Sequence, residues 1–203
     1  MGLQETTILF QKIYYRHYYL CRYLPLTSGI DTVSRSLLKF KRGAQPDLDN
    51  WLTRTVCSLK AKPVTLPPNT IIIRALHHKE TMAAQPRPTS LDLLGQTLSG
   101  HFHFPYLPGL LRKTRPTNRI QGLTRTQREA ELQDVYYLDP TPLNPTLLNP
   151  TSFSQTPPIP NTPSLLLIDD ILTTGATART IIHTLRNTCP TSTITIFTLA
   201  KAA

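Results

Sequence analysis

Apolar residues along this chain fall into stretches of helical and strand period separated by proline-rich breaks. From Leu3 to about Leu26 the tyrosines Tyr14, Tyr15, Tyr18, Tyr19 and Tyr23 recur at spacings that let a helix bury one aromatic face. Their interleaving with Arg16, His17 and Arg22 also suits stacking on nucleic-acid bases. A second helical pattern runs from Ile30 to Phe40, with Ile30, Val33, Leu37 and Leu38 at spacings of three and four and Gly43 as its stop. A third runs from Asp47 through Leu59 and carries Leu48, Trp51, Leu52, Val56 and Leu59 on one side. Residues 1–66 are therefore expected to form a helical region that packs on a core built from residues 67–203.

Pro67, Pro68 and Asn69 break the chain, and Ile71 to Ile73 form a β-branched run suited to a strand buried on both faces. Arg74 to Arg87 reads as a polar loop. Thr89 or Ser90 can cap a helix from Leu91 to about Ser99, and Pro105 and Pro108 end regular structure after it. Val135 to Leu138 has strand character. Eight of the 19 prolines, with Leu-Asn-Pro-Thr occurring at Leu143 and again at Leu148, mark 139–163 as a loop insertion or linker. The closing stretch is the most orderly: a strand from Leu165 to Ile168, a helix from Thr177 to Asn187 with Ala178, Ile181, Ile182 and Leu185 inward, and a strand from Thr193 to Ala200. A strand, helix and strand in that order imply a parallel sheet with helices on its faces, a Rossmann-like α/β domain.

Composition sharpens this in three ways. Twenty-two Lys and Arg against 12 acids give a formal net charge of +10, which favours polyanionic partners or a generally basic surface. Cys21, Cys57 and Cys189 are odd in number and far apart, so neither a zinc site nor a disulfide framework is expected and a reducing cytoplasm fits. No apolar run reaches the roughly 18–20 residues of a membrane span, so no membrane partner is expected.

The chemistry concentrates in Leu165-Leu-Leu-Ile-Asp169-Asp170-Ile-Leu-Thr173-Thr174-Gly175-Ala176-Thr177. Two adjacent carboxylates follow an apolar strand, at the edge where open parallel sheets bind ligands. They suit ribose hydroxyls, or Mg2+ that takes one or two carboxylates and fills its shell with phosphate oxygens and water. Three threonine hydroxyls and a glycine then precede a helix, a cradle for one phosphomonoester. Neither the G-x-x-x-x-G-K-[ST] nor the G-x-G-x-x-G spacing is present. A capped strand-to-helix turn would explain the threonines and glycine but not the two aspartates. From Leu93 to Arg128 there is no acid, while Arg112, Lys113, Arg115, Arg119, Arg125 and Arg128 are basic. This stretch suits pyrophosphate, a single-stranded DNA backbone or solvent; the absence of aromatics from Leu107 to Arg128 counts against DNA.

Leu165 to Thr177 resembles the ribose phosphate signature of type I phosphoribosyltransferases. Leu38-Lys-Phe-Lys-Arg-Gly43, Leu111-Arg-Lys-Thr-Arg-Pro-Thr117, Gln121-Gly-Leu-Thr and Arg128 are similar to the competence-associated, ComF-like branch. The chain lacks that branch's N-terminal cysteine cluster, and Ile71 to Glu80 and Ser90-Leu-Asp-Leu-Leu stand where its Pro-Val-Pro and Arg-Gly-Phe-Asn-Gln segments fall. The resemblance implies a type I phosphoribosyltransferase fold with a basic hood loop, binding 5-phosphoribosyl-1-pyrophosphate with Mg2+. Asp169 and Asp170 would hold the ribose hydroxyls and the metal and offset the charge of an oxocarbenium-like state. Thr173, Thr174, Gly175, Ala176 and Thr177 would hold the 5-phosphate, and Arg74, His77, Arg112 and Arg115 the pyrophosphate. The expected activity is transfer of phosphoribose to a nitrogen acceptor; the alternatives are a non-catalytic sensor or DNA-uptake factor on the same fold, and a nucleic-acid-binding module.

Overall fold

The computed structural model describes residues 2–24, 31–82, 87–118, 123–139 and 163–202, apart from the side chain of Arg125. Residues 140–162 of the proline-rich insertion, Ile30, Arg119, Gln121 and Gly122 thus lie outside the described residues. In chain order the elements are β1 (Gln4–Phe10), β2 (Ile13–Tyr23), α1 (Thr32–Lys41), α2 (Asp47–Ala61), β3 (Thr70–Arg74), α3 (Ser90–Phe102) and β4 (Leu111–Lys113). They continue with α4 (Arg125–Leu132), β5 (Tyr136–Leu138), β6 (Ser164–Leu172), α5 (Ala176–Thr188) and β7 (Ile194–Ala202). The main sheet has the order β1-β2-β7-β6-β3 and is parallel except for β1, while β4 and β5 form a separate antiparallel pair. This is a mixed α/β protein on a mostly parallel sheet, compatible with a Rossmann-like fold.

The tyrosine-rich segment corrects the helical expectation for Leu3 to Leu26: it is a β-hairpin whose second strand, β2, pairs in parallel with β7. Aromatic residues favour strands, and β2 is buried almost without interruption from His17 to Cys21, so its burial has no strict period of two. The turn is made by Gln11 and Lys12 at φ of +51° and +65°, a conformation that Asn-Gly usually signals. The hairpin also joins the N-terminal segment to the sheet formed by residues 70–202, so only α1 and α2 remain of the helical N-terminal region.

Each face of the sheet carries its own core. On one, Ile71, Ile73, Leu165, Leu167 and Ile196 meet Ile181, Ile182 and Leu185 of α5 and the β4–β5 pair. On the other, Ile72, Leu166, Ile168 and Phe197 meet Phe40 of α1, Trp51 of α2 and Leu94 of α3. The consecutive isoleucines of β3 are needed because both faces are covered. Thr89 and Asp92 close a capping box at the start of α3.

After α3 the chain returns beside β3, where Ile72 N–H donates to Pro105 O and Leu107 N–H to Ile72 O, each at 2.9 Å, in a parallel bridge. The crossover from β3 through α3 therefore runs away from β6, and that from β6 through α5 to β7 runs away from β3. Helices end on opposite faces, so the carboxyl ends of β3 and β6 mark the switch point at which open α/β sheets form their ligand-binding crevice.

Candidate functional site

β6 runs to Leu172, four residues past the predicted end, so both aspartates lie inside the strand. Strand alternation turns Asp170, like Ile168, toward the layer of α1, α2 and α3, and Asp169 toward α5 and β5. Asp170 is 6% exposed, and its Oδ2 lies 2.7 Å from Nζ of Lys41, the last residue of α1. That end of α1 is fixed twice. Gly43, at φ +71°, closes the helix by donating to Phe40 O, and Ser90 Oγ donates to Lys41 O at 3.3 Å. Asp170 N–H donates to Asp169 Oδ1 at 2.9 Å, and Ile171 N–H to Asp170 Oδ1 at 2.7 Å. Burial and the neighbouring Asp170 carboxylate hold Asp169 above the ordinary carboxylate range, while Lys41 works in the other direction.

The turn after β6 presents Thr173 and Thr174 to solvent, with Ala176 and Thr177 half-buried behind them. Gly175 sits at φ +73°, and a Cβ there would lie 3.1 Å from Phe10 Cζ, so conformation and space both call for glycine. No side chain caps the start of α5. Arg128 of α4 donates from Nη1 to Thr174 Oγ1 at 3.2 Å. Arg179 of α5 donates from Nη2 to Thr174 O at 3.4 Å, and its guanidinium stands 5.1 Å over the Phe10 ring. The hairpin thus supports the turn from below.

The residues expected to meet pyrophosphate divide. Arg74 is 1% exposed, and all its N–H donors are engaged: Nε and Nη2 on Asp92 at 2.6 and 3.3 Å, Nη1 and Nη2 on Glu80 at 2.9 Å each, and Nη1 on Ala75 O at 3.1 Å. This corrects the expectation that Arg74 contacts a ligand: it is the interior pin of the loop that follows β3. His77 remains on that loop, its N–H donating to Glu80 Oε2 and its ring 3.9 Å from that of His78. Burial, with His78, Lys41 and Lys113 adding to it, holds the His77 imidazole below its ordinary value. Lys113, buried, donates to His77 O at 2.9 Å, and burial lowers its ammonium to about 8. The basic loop is in fact β4, α4 and β5, and in it Arg112 faces Asp139 at 2.7 Å and Arg115 faces Glu131 at 3.2 Å.

The structure therefore gathers Asp169, Asp170, Thr173 to Thr177 and the His77 loop at one crevice, withdraws Arg74, and gives Arg112 and Arg115 carboxylate partners of their own. Sequence reasoning assigned no site role to Lys41 or Arg179, and counted Arg128 only among the basic residues of the hood loop. Lys41 and Arg128 lie in segments whose resemblance was visible; Arg179 had only its place on the first turn of α5. Among the described residues no group of three or more His, Cys, Asp or Glu is placed to hold a metal ion, and no helix is long and apolar enough to cross a membrane. No protein-family model matches the chain, and no curated protein matches it.

Proposed function

We propose that this crevice binds 5-phosphoribosyl-1-pyrophosphate with Mg2+ and that the protein transfers phosphoribose to a nitrogen acceptor, releasing pyrophosphate, on a type I phosphoribosyltransferase fold. The observation that carries the proposal is the aspartate pair at the end of β6, continuous with a threonine and glycine turn, at the switch point of the sheet. The turn receives the 5-phosphate. The carboxylates accept from the ribose hydroxyls and lie against the positive charge that builds on the ribose as the bond from the anomeric carbon to pyrophosphate breaks. Its electron pair leaves with pyrophosphate, the acceptor nitrogen bonds to the carbon, and the nitrogen's proton passes to solvent. Lys41 and the His77 loop border the same crevice and supply positive charge and backbone donors to the leaving group.

Asp169 and Asp170, with no third His, Cys, Asp or Glu grouped with them among the described residues, would suit Mg2+ that takes most of its shell from pyrophosphate and water. Bound there, Mg2+ supplies neutralisation of the departing charge. One observation favours a second reading, a sensor that binds the donor without turnover: Arg74, Arg112 and Arg115 are all neutralised by carboxylates, which leaves little fixed positive charge for a leaving group.

Calorimetric titration of the donor with Mg2+ into wild type and into an Asp169→Asn, Asp170→Asn double variant tests the proposal. Binding by wild type that the variant loses is expected, and pyrophosphate release in an acceptor screen then separates transfer from sensing. A folded wild type that binds no donor sinks both readings.

A further inference from the structure

The arginines near the crevice fall into two classes. Arg74, Arg112 and Arg115 each face a carboxylate. Arg128 and Arg179 face none among the described residues, and both converge on Thr174, one on its hydroxyl and the other on its carbonyl. Two guanidinium groups brought to one residue repel each other, and neutral oxygens at 3.2 and 3.4 Å are weak compensation. In addition, Arg128 Nε is buried without a hydrogen-bond partner, a donor withdrawn from water with nothing in return. An anion seated on Thr174 between the two side chains would account for all three observations.

We infer that Arg128 and Arg179 clamp a phosphomonoester on the Thr173–Thr177 turn, and that Arg128 makes the docking of α4 over the crevice depend on that phosphate. The inference deepens the proposed function by naming the groups that recognise the phosphate, and it rests on that reading only for the identity of the whole donor. Each side chain is braced for the task. Arg179 leaves the first turn of α5 and lies on the ring of Phe10, which is itself buried beneath Gly175. Arg128 leaves a helix whose start is fixed by the reciprocal Thr124 and Gln127 capping box. Guanidinium forks match the spacing of phosphate oxygens, and the threonine hydroxyls can donate to the same group. A sugar without the phosphate leaves two charges unanswered, so the site selects for the 5-phosphate rather than for the ribose.

The test titrates ribose 5-phosphate, and inorganic phosphate as the minimal probe, without metal into wild type, Arg128→Met, Arg179→Met and the Asp169→Asn, Asp170→Asn variant. Amide exchange of α4 is followed in parallel. Each arginine variant is expected to weaken ribose 5-phosphate about tenfold or more, the range of a hydrogen bond to a charged group. Arg128→Lys should retain part of the affinity, which shows that the loss is one of charge and not of folding. Added ribose 5-phosphate should slow exchange in α4 of wild type and not of Arg128→Met. Wild-type affinity in both methionine variants overturns the clamp, as does a wild type that binds neither probe, and unchanged exchange in α4 overturns the docking. Arginine-dependent phosphate binding without any binding of the full donor keeps the clamp and removes the transfer reading; donor binding indifferent to both arginines does the reverse.

Discussion

The carboxyl ends of the neighbouring strands β3 and β6 each carry a cluster of charge, and the two are built on opposite principles. At the end of β3, Arg74 is closed off by Glu80 and Asp92, and Asp92 further accepts from Tyr106 Oη at 2.7 Å and from Thr89 N–H and Oγ1 at 2.8 and 2.7 Å. At the end of β6, two carboxylates share one half-exposed lysine, and one of them is held above its ordinary titration range. The first cluster is satisfied inside the protein and has nothing to offer a ligand. The second is left short of positive charge at the mouth of a crevice. A satisfied buried network fixes shape, whereas an unsatisfied one stores affinity for whatever completes it.

The sharpest way to break this contrast is to remove one member of the β3 cluster. Arg74→Met leaves Glu80 and Asp92 buried without their cation and should lower stability by about 3–5 kcal/mol in urea unfolding; a loss below about 1 kcal/mol would show that the network does not fix the fold. Asp169→Asn should have the opposite sign and a smaller size. Folded Asp169 keeps a proton that the unfolded chain releases near pH 4, so its contribution is greatest in acid and is lost as pH rises through the raised folded value. The variant should therefore match wild type below about pH 4 and melt at higher temperature at pH 8. A variant less stable than wild type at pH 8 would place Asp169 with the structural charges instead. Smallest of all, Asp170→Asn should shift the Asp169 titration down and Lys41→Met should shift it up, as followed by carboxyl carbon NMR, since these neighbours act on Asp169 with opposite sign.

Legibility in the sequence followed how local the determinants are. β6, its turn and α5 were readable because an apolar run, a glycine and a helical period lie within about two dozen consecutive residues; the strand end moved from Ile168 to Leu172, and the other boundaries by one residue each. The hairpin was not readable: its turn lacks glycine or asparagine, and β2 pairs with β7, whose partner residues lie 179 positions downstream (195 − 16). Arg74 looked like a loop cation because its partners, Glu80 and Asp92, are six and 18 residues away and meet it only in three dimensions. α4 carried a signal that was passed over, the Thr124 to Gln127 capping box in an otherwise polar stretch. Lys41 had no such mark of its own, because only the close of α1 at Gly43 and the bond from Ser90 aim it at Asp170.

The crevice lies on the seam between β3 and β6, whose first registered pair, Thr70 and Ser164, is 94 residues apart (164 − 70). Closing so long a loop is a costly and therefore late step for a folding chain. Neither strand alone holds the aspartates next to the His77 loop, so a partly folded chain has no pocket to fill. Any ligand of the crevice thus binds only the finished molecule, and by mass action it holds the whole chain in that state. Occupancy of the site becomes a readout of complete folding, and a saturating ligand should slow digestion by a protease even at α2, which carries none of the site residues.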